Sequence, residues 1–238
     1  MKIQKLYSYV RQALDDYKMI DPDDVIAVGL SGGKDSIALL YALAGLRNFY
    51  SVPFSIKAIT VDLGYENFDI APLEMLCEQL DVEYHVVHTQ IGEIVGLNQS
   101  NKSYCSLCAR LRKGALNDAA LQFGCNKVAY AHHMDDMIET MLMSLIYEGK
   151  FYAFPPVTKL DRTGLTVIRP LMYAPECDVI GFMHRMQFAI VKNPCPYDGH
   201  TRREYIKSLV RQLNKENPGV KKRLFHAIRE GKIEDWNI

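Results

Sequence analysis

A glycine-rich loop at residues 31–36, Ser-Gly-Gly-Lys-Asp-Ser, carries residue types that bind phosphate. Runs of apolar or small residues at 25–30 and 37–40 flank it, which predicts a buried strand, a tight turn and the first turn of a helix. Backbone N–H groups gather at such a helix start, where the helix dipole favours an anion. The loop adds two glycines that allow close approach, two hydroxyl donors and one ammonium group. These residues are Gly32, Gly33, Ser31, Ser36 and Lys34.

The loop differs from two well-known phosphate-binding motifs. A Walker A loop has four residues between its glycines and then Lys-Ser or Lys-Thr, whereas here Asp35 follows Lys34 and Gly29 to Gly33 is one residue short. The dinucleotide fingerprint G-x-G-x-x-G is absent as well. The sequence SGGKDS resembles the pyrophosphate loop of the PP-loop ATPases. That resemblance implies that the loop holds the β- and γ-phosphates of ATP, that a substrate attacks the α-phosphate, and that pyrophosphate leaves.

Cysteines form a second group of chemically competent residues. The pair Cys105-x-x-Cys108 is a two-thiolate chelate that suits a redox pair, half of a zinc site or half of an iron–sulfur site. Cys195 lies far along the chain between two prolines, and three thiolates can hold a cubane cluster that leaves one iron open. A zinc site needs a fourth ligand. Candidates for it are Asp198, His200 and His184. Alternatively the pair is structural and Cys195 is unrelated to it. The other cysteines are interpreted as packing residues. They are Cys77, Cys125 and Cys177.

A third candidate is the stretch His132-His133-Met134-Asp135-Asp136. It can supply a nucleotide contact, a magnesium ligand or a general base, and ATP chemistry needs a cation to neutralise the departing pyrophosphate. The alternative is structural, because acidic residues at a helix start offset the helix dipole, and Asp136 with Glu139 would then do only that. Each histidine taken alone is more often a hydrogen-bonded structural residue than a catalyst.

The elements that position these residues alternate between apolar strands and amphipathic helices. Strands are predicted at 25–30, 55–61, 83–88, 126–131 and 165–168, and helices at 3–17, 34–47, 72–80, 109–123, 137–147, 178–186, 201–214 and 220–229. This alternation predicts a doubly wound, parallel five-stranded sheet. We divide the chain into an N-terminal helix (1–24), a nucleotide-binding domain (25–198) and basic C-terminal helices (199–238).

The predicted topology brings the polar motifs together. Ligands of open α/β sheets bind beyond the carboxyl ends of the strands, where the strand order reverses. The first and fourth strands carry polar motifs at these ends, so we expect the loop 31–36 and the stretch 132–136 to lie side by side around a nucleotide. Asp62, which ends the second strand, and His133 are assigned to the same nucleotide site.

Composition and charge limit the class of protein. The 238 residues, 48% of them hydrophobic and 24% charged, are enough for one sizeable core. No apolar run is long enough for a membrane span and no signal peptide precedes Met1, so we expect a cytoplasmic protein with free thiols and no membrane partner. The formal net charge is zero, yet residues 200–238 hold ten Lys or Arg against five Asp or Glu. This basic segment either contacts RNA phosphates or forms a solvated helix face.

Five segments in a fixed order resemble one family within the PP-loop ATPases. They are SGGKDS, YCSLCARLRKGAL, AHHMDDMIETMLMSLIYEGKFYAFPP, VIRPLMY and NPCP. Together they identify the chain as similar to the TtcA family of tRNA 2-thiocytidine synthetases, which is related to the TtuA thiouridine synthetases. The resemblance extends from Val25 to about Arg229, and the long block at 132–156 makes it specific.

The resemblance implies an ATP-dependent tRNA sulfurtransferase. ATP would activate the C2 carbonyl of a tRNA cytidine, and a [4Fe-4S] cluster on Cys105, Cys108 and Cys195 would offer sulfur through its fourth iron. Arg112 stands where a related thiouridine enzyme has a catalytic lysine, which implies a cationic role. The residues assigned to catalysis are Lys34, Asp35, Arg112, Asp135 and Asp136. Mg²⁺ is the expected cation, the sulfur donor is a cysteine desulfurase or free sulfide, and the expected assembly is a homodimer.

The sequence departs from that family at three points, and two other functions stay open. Asp198 replaces the second cysteine of a second CxxC, the chain is shorter than typical members, and it lacks the zinc fingers of the thiouridine enzymes. One alternative keeps adenylation but ligates or amidates another acceptor, as a lysidine synthetase does. The other is a nucleotide- and metal-binding protein without turnover, which pyrophosphate release in the presence of tRNA would exclude.

Overall fold

The computed structural model describes residues 3–66, 68–97, 104–188, 190–191 and 202–231. These residues form six strands and nine helices. The strands are β1 (Asp24–Gly29), β2 (Phe54–Asp62), β3 (Glu83–His88), β4 (Lys127–Ala129), β5 (Val157–Lys159) and β6 (Thr166–Ile168). The helices are α1 (Ile3–Asp16), α2 (Lys34–Leu46), α3 (Ala71–Gln79), α4 (Ile91–Leu97), α5 (Tyr104–Gln122), α6 (Met134–Glu148), α7 (Glu176–Met186), α8 (Arg202–Glu216) and α9 (Val220–Glu230).

The strands form one sheet in the order β3-β2-β1-β4-β6-β5. All neighbouring pairs are parallel except β5 and β6, which are antiparallel. The predicted doubly wound parallel sheet is confirmed, and its five predicted strands are all present. The sheet has one strand more than predicted, because β5 (Val-Thr-Lys) has a single apolar residue and so lacks the apolar run that marks β4 and β6.

Two helices differ from the sequence expectation. The seven-residue α4 was not predicted, and it contains Gly92 and Gly96, which weaken the helical signal. Helix α5 begins at Tyr104 rather than at residue 109, so the CxxC pair lies on a helix instead of in a loop. Leu107 and Leu111 of α5 pack against the small core of Leu63, Ile91 and Val95, and this tertiary contact accounts for the earlier start.

Helices cover both faces of the sheet, as the doubly wound architecture requires. On one face seven helices, α1, α2, α3, α6, α7, α8 and α9, bury side chains in a single large core. On the other face α5 packs Leu116, Ala119 and Ala120 against the sheet residues Ala27 and Val128. The N-terminal helix and the two C-terminal helices thus share a core with α2. The division of the chain into three segments stays a prediction, and the boundary at 198 lies outside the described residues.

A buried ion pair fastens the amino ends of β1 and β4 to each other. The Lys127 ammonium lies 2.7 Å from the Asp24 carboxylate, and both residues are buried. Asp24 also accepts hydrogen bonds from the Asp21 N–H and the Asn126 side chain, at 2.7 and 2.6 Å. The adjacent register pairs Ile26 with Lys127, and the two strands continue side by side to their carboxyl ends. The ion pair therefore helps to set which loops meet at the other edge of the sheet.

Replacing Lys127 by Met should destabilise the fold, because it leaves the Asp24 carboxylate buried without its cation. We expect the free energy of unfolding to fall by about 3 kcal/mol, measured by urea denaturation. The double variant with Asp24→Asn should regain part of that loss. Lys57→Met is the matched control, since Lys57 pairs with the exposed Glu83, and it should change stability by less than about 1 kcal/mol. A Lys127→Met variant as stable as the wild type would contradict the assigned role.

Candidate active site

The loop between β1 and α2 has the geometry of a phosphate-binding turn. Gly33 is the N-cap of α2 and has extended backbone angles, so the first N–H groups of the helix lack a side-chain cap. The Ser36 hydroxyl donates to the Gly33 carbonyl at 2.9 Å and accepts from the Ser31 N–H at 3.2 Å, which holds the loop in shape. Gly32 has φ +80°, a conformation that favours glycine. The uncapped helix start is therefore available to an anion.

Gly32 and Gly33 are required for different reasons. A Cβ on Gly32 would lie 2.8 Å from the Cβ of Val191, whose N–H donates to the Gly32 carbonyl. A Cβ on Gly33 would meet only the Ser31 hydroxyl, at 3.5 Å. Gly32 is thus fixed by backbone conformation and packing, whereas Gly33 leaves open space where phosphate would lie.

A cavity of about 420 Å³ opens over this loop. The loop contributes Ser31, Gly33, Asp35 and Ser36 to its wall. Because β2 and β4 flank β1 on opposite sides, the other lining residues fall into two groups. The β2 side is largely apolar and contains Ile59, Val61, Asp62, Leu63, Tyr65 and Phe68. The β4 side is polar and cationic and contains Arg112, Lys113, Tyr130, His132 and Asp136. The cavity therefore has one end suited to a nucleoside and one end rich in positive charge.

Lys34 and Asp35 have different positions at the helix start. The Lys34 ammonium contacts the carboxylates of Asp35 and Glu176, at 2.8 and 3.2 Å, and the side chain does not line the cavity. Partial burial alone would lower the pKa of Lys34, but the two carboxylates outweigh it and raise the pKa. Asp35 does line the cavity, and its buried Oδ1 has no hydrogen-bond partner among the described residues. An unsatisfied buried carboxylate oxygen of this kind suits a magnesium ion.

Asp136 and His133 form a reciprocal cap at the start of α6. The His133 N–H donates to the Asp136 carboxylate at 2.9 Å, and the Asp136 N–H donates to His133 Nδ1 at 3.2 Å. His133 is buried and its Nε2 lies 3.7 Å from Asp35 Oδ1. Of the two, only Asp136 lines the cavity. Asp136 therefore has a structural role at the start of α6. Its side chain also lines the cavity, so it can take part in the site as well.

Asp135 points into the protein instead of the cavity. Its Oδ2 accepts the Glu176 N–H at 2.7 Å, and its Oδ1 pairs with the Lys221 ammonium. It therefore joins the start of α7 to α9. The sequence left Asp135 and Asp136 as alternatives near the nucleotide, and the geometry favours Asp136.

His132 belongs to a cluster of side chains at the cationic end of the cavity. This cluster was not assigned to the site from the sequence. The His132 ring stacks on Phe154 at 4.4 Å, and Arg169 Nε donates to its Nδ1 at 3.3 Å. Burial, followed by the positive charge of Arg169, holds the pKa of His132 well below its usual value. Lys113 lies over the rings of Tyr130 and Phe154. Lys113 and Arg169 stand inside the quoted segments YCSLCARLRKGAL and VIRPLMY, so the only sequence signal was their membership of these segments.

Helix α5 connects the CxxC pair to the cavity. Cys105 is exposed, Cys108 is partly buried, and their i, i+3 spacing puts both thiols on one helical face. Arg112 follows Cys108 by four residues, about 6 Å along the helix axis, and lines the cavity. Cys195 lies outside the described residues, within which no group of three or more metal-binding side chains occurs. The two thiols present fit the donor set that a three-thiolate cluster requires.

Three cations of the basic C-terminal segment bind acids beside the site. Arg203 contacts Asp136 and Glu139, at 3.5 and 3.3 Å. Lys207 contacts Glu176 at 2.7 Å, and Lys221 contacts Asp135. Burial alone would raise the pKa of Glu176, but the cations Lys207 and Lys34 lower this pKa to about 2. Part of the basic charge is therefore used inside the protein.

Fold and loop together define an α/β nucleotide-binding protein whose phosphate site follows the first strand. The PP-loop domain family matches residues 3–213. Two relatives are the tRNA-cytidine(32) 2-sulfurtransferases of Geotalea uraniireducens and Geobacter metallireducens. They are 40% and 37% identical over 230 residues, which cover 94% and 95% of this chain and 90% of each relative.

Solved structures agree with this placement. The U34-tRNA thiolase NcsA from Methanococcus maripaludis, solved with its [4Fe-4S] cluster, has a TM-score of 0.76 and 26% identity over 95% of this chain and 77% of its own. The NH3-dependent NAD synthetase from Campylobacter jejuni shares the fold alone, with a TM-score of 0.51 and 17% identity over 97% of this chain and 95% of its own. The chain belongs to the PP-loop family and, within it, to the tRNA-cytidine(32) 2-sulfurtransferases, so the resemblance seen in the sequence is confirmed. Among the described helices, none is both long and apolar enough to cross a membrane.

Replacing Gly33 by Val should weaken nucleotide binding sharply while the fold survives. The native backbone angles of Gly33 are allowed for Val, and the added side chain would occupy the phosphate position. We expect ATP affinity, measured by isothermal titration calorimetry, to fall roughly tenfold or more, equivalent to at least about 1.4 kcal/mol. Gly96→Val in α4 is the matched control, because an added Cβ there also meets no atom within 4 Å. Normal ATP binding by a folded Gly33→Val variant would exclude the loop as the nucleotide site.

Proposed function

We propose that this protein is an ATP-dependent tRNA sulfurtransferase that adenylates the C2 carbonyl of a cytidine and replaces its oxygen by sulfur. The names of the relatives point to cytidine 32 as the acceptor. We also propose a cytoplasmic location, which fits a tRNA substrate.

One observation carries the proposal: a single helix, α5, bears the thiol pair in its first turns and part of the cavity wall one turn later. A redox pair or a structural zinc site has no need to lie next to a nucleotide. Sulfur transfer to an adenylated base does need it, since the sulfur atom and the activated carbon must meet. Arg112, which follows Cys108 by four residues on α5, lines the cationic end of the cavity, and we expect the acceptor base there.

The residues of this chain divide the reaction into two parts. The first N–H groups of α2, with Ser31 and Ser36, bind the phosphates, and Lys34 supplies positive charge for the departing pyrophosphate. Asp35 Oδ1 and Asp136 would hold Mg²⁺, which neutralises charge on the phosphates when bound. Arg112 would stabilise the phosphate of the adenylated base. Asp62 lies at the opposite, apolar end, where it would contact the nucleoside.

Cys105, Cys108 and Cys195 would hold the [4Fe-4S] cluster, which supplies a metal anchor for the incoming sulfur when bound. The sulfur itself would come from a cysteine desulfurase or from free sulfide. We also propose a homodimer, which sedimentation of the purified protein would test.

The test of this function separates adenylation from sulfur delivery. Protein purified without oxygen is incubated with bulk tRNA, ATP, Mg²⁺ and sulfide, and then pyrophosphate and thiolated nucleosides are measured. Cys108→Ser and Cys195→Ser each remove one soft thiolate, and a hydroxyl is a poor iron ligand at neutral pH. We expect both variants to bind ATP normally, to lose iron, and to make no thiolated base.

Cys177→Ser is the matched control, because Cys177 is also an exposed thiol but lies on α7. It should keep iron content and thiolation at the wild-type level. Unchanged thiolation in Cys195→Ser would exclude the three-thiolate site as the route of sulfur. A wild-type protein that releases pyrophosphate with tRNA but forms a different modified nucleoside would support an adenylating ligase instead.

A further inference from the structure

Lys113 is a cation in the cavity wall that the sequence assignment did not use. It follows Arg112 on α5, and its exposed side chain lines the cationic end of the cavity. Among the described residues it forms no ion pair, in contrast to Lys34, Lys207 and Lys221. A lysine that faces a substrate cavity without an acidic partner is free to take an anionic ligand.

The ammonium group of Lys113 is held in place by aromatic rings. It lies 5.8 Å from the ring centre of Tyr130 and 5.7 Å from that of Phe154, within the range of cation–π attraction. Both rings are themselves fixed. The Tyr130 hydroxyl donates to Asn117 Oδ1 at 3.1 Å, and Phe154 stacks on His132, which accepts from Arg169. The ammonium group of Lys113 is therefore held in position by aromatic rings instead of by an acidic side chain.

The surroundings of Lys113 carry excess positive charge. Partial desolvation, followed by the charges of Arg169, Arg112 and Arg203, lowers the pKa of Lys113. Arg203 is neutralised by Asp136 and Glu139, whereas Arg112 forms no ion pair within the described part of the chain. Like charges are concentrated at this end of the cavity, and an anion placed among them would relieve their repulsion.

Resting on the proposed function, we propose that Lys113 binds the α-phosphate of ATP during adenylation and keeps that contact in the adenylated base. In this step the C2 oxygen of cytidine bonds to the α-phosphorus. The bond from that phosphorus to the oxygen bridging to the β-phosphate breaks, and pyrophosphate leaves with the electron pair. Negative charge grows on the α-phosphate oxygens as the new bond forms, and a cation in the cavity wall would stabilise it. Lys113, which lines the β4 side of the cavity beside Arg112, is positioned to supply this charge together with it.

The experiment compares Lys113→Met with Lys113→Arg. Pyrophosphate release is measured at saturating ATP and bulk tRNA, and ATP affinity is measured separately. We expect Lys113→Met to lower the rate of pyrophosphate release roughly a hundredfold, which is typical for the loss of one charge-stabilising contact in an enzyme. The ATP affinity should stay within about threefold of the wild type. Because Lys113 forms no ion pair among the described residues, and a methionine side chain can still pack against Tyr130 and Phe154, the melting temperature should change little. Lys113→Arg should recover most of the rate.

A pH profile separates a substrate contact from a structural role. The wild-type kcat/KM should fall as the pH rises through the pKa of Lys113, since the contact needs the protonated ammonium. In Lys113→Arg that alkaline limb should move to higher pH, because arginine stays protonated. A merely structural lysine would leave the limb unchanged.

Arg110→Met is the matched control, because Arg110 is an exposed cation on the same helix that does not line the cavity. Equal rate losses in Arg110→Met and Lys113→Met would assign the effect to general attraction of tRNA and overturn the proposal. A wild-type rate in Lys113→Met, or a loss that accompanies unfolding and is not recovered by Lys113→Arg, would overturn it as well. Failure of the proposed function would be seen in the wild-type protein, which would then release no pyrophosphate with tRNA.

Discussion

The parallel pairing of β1 with β4 is the constraint on which the site depends. These strands are far apart in the sequence, yet their register places the loop after β1 beside the start of α6. At the amino ends of these strands, the buried ion pair of Asp24 and Lys127 helps to hold them together, and its burial makes it sensitive to the loss of either partner. The cavity, its apolar end and its cationic end all follow from having β2 on one side of β1 and β4 on the other.

Ionic contacts connect the C-terminal helices to the cavity at the carboxyl ends of β1 and β4. Arg203 and Lys207 of α8 and Lys221 of α9 each reach an acid that stands at the start of α6 or α7. Such pairs are stronger than ordinary surface ion pairs because their carboxylates are largely shielded from water. The basic charge of the C-terminal segment thus has an internal role, which composition alone could not distinguish from a contact with RNA.

Much of the fold and part of the site could be predicted from the sequence. Apolar runs bounded by turns gave the five parallel strands, and the rule for open sheets placed residues 31–36 beside residues 132–136. The start of α5 could not be predicted, since Leu107 and Leu111 gain their helical state from packing against residues 63 and 91. The direction of Asp135 was also inaccessible, because it depends on partners on α7 and α9 that are 41 and 86 residues away. The position of Lys113 could not be predicted, because a single lysine in a basic helix has no sequence signature and its contacts with Tyr130 and Phe154 exist only in the folded protein.

The shared carboxylate of Glu176 has a consequence for which nucleotide the loop accepts. The Lys34 ammonium is engaged by Asp35 and Glu176, so the loop offers its N–H groups but not a free positive charge. A ligand must compete with two carboxylates to recruit that lysine, and a triphosphate competes far better than a monophosphate because it carries more negative charge. When the lysine is released, Glu176 keeps Lys207 as its partner and is not left unpaired. The two carboxylates therefore compete with any ligand for Lys34. This competition disfavours ligands of low negative charge, so the site favours ATP over AMP.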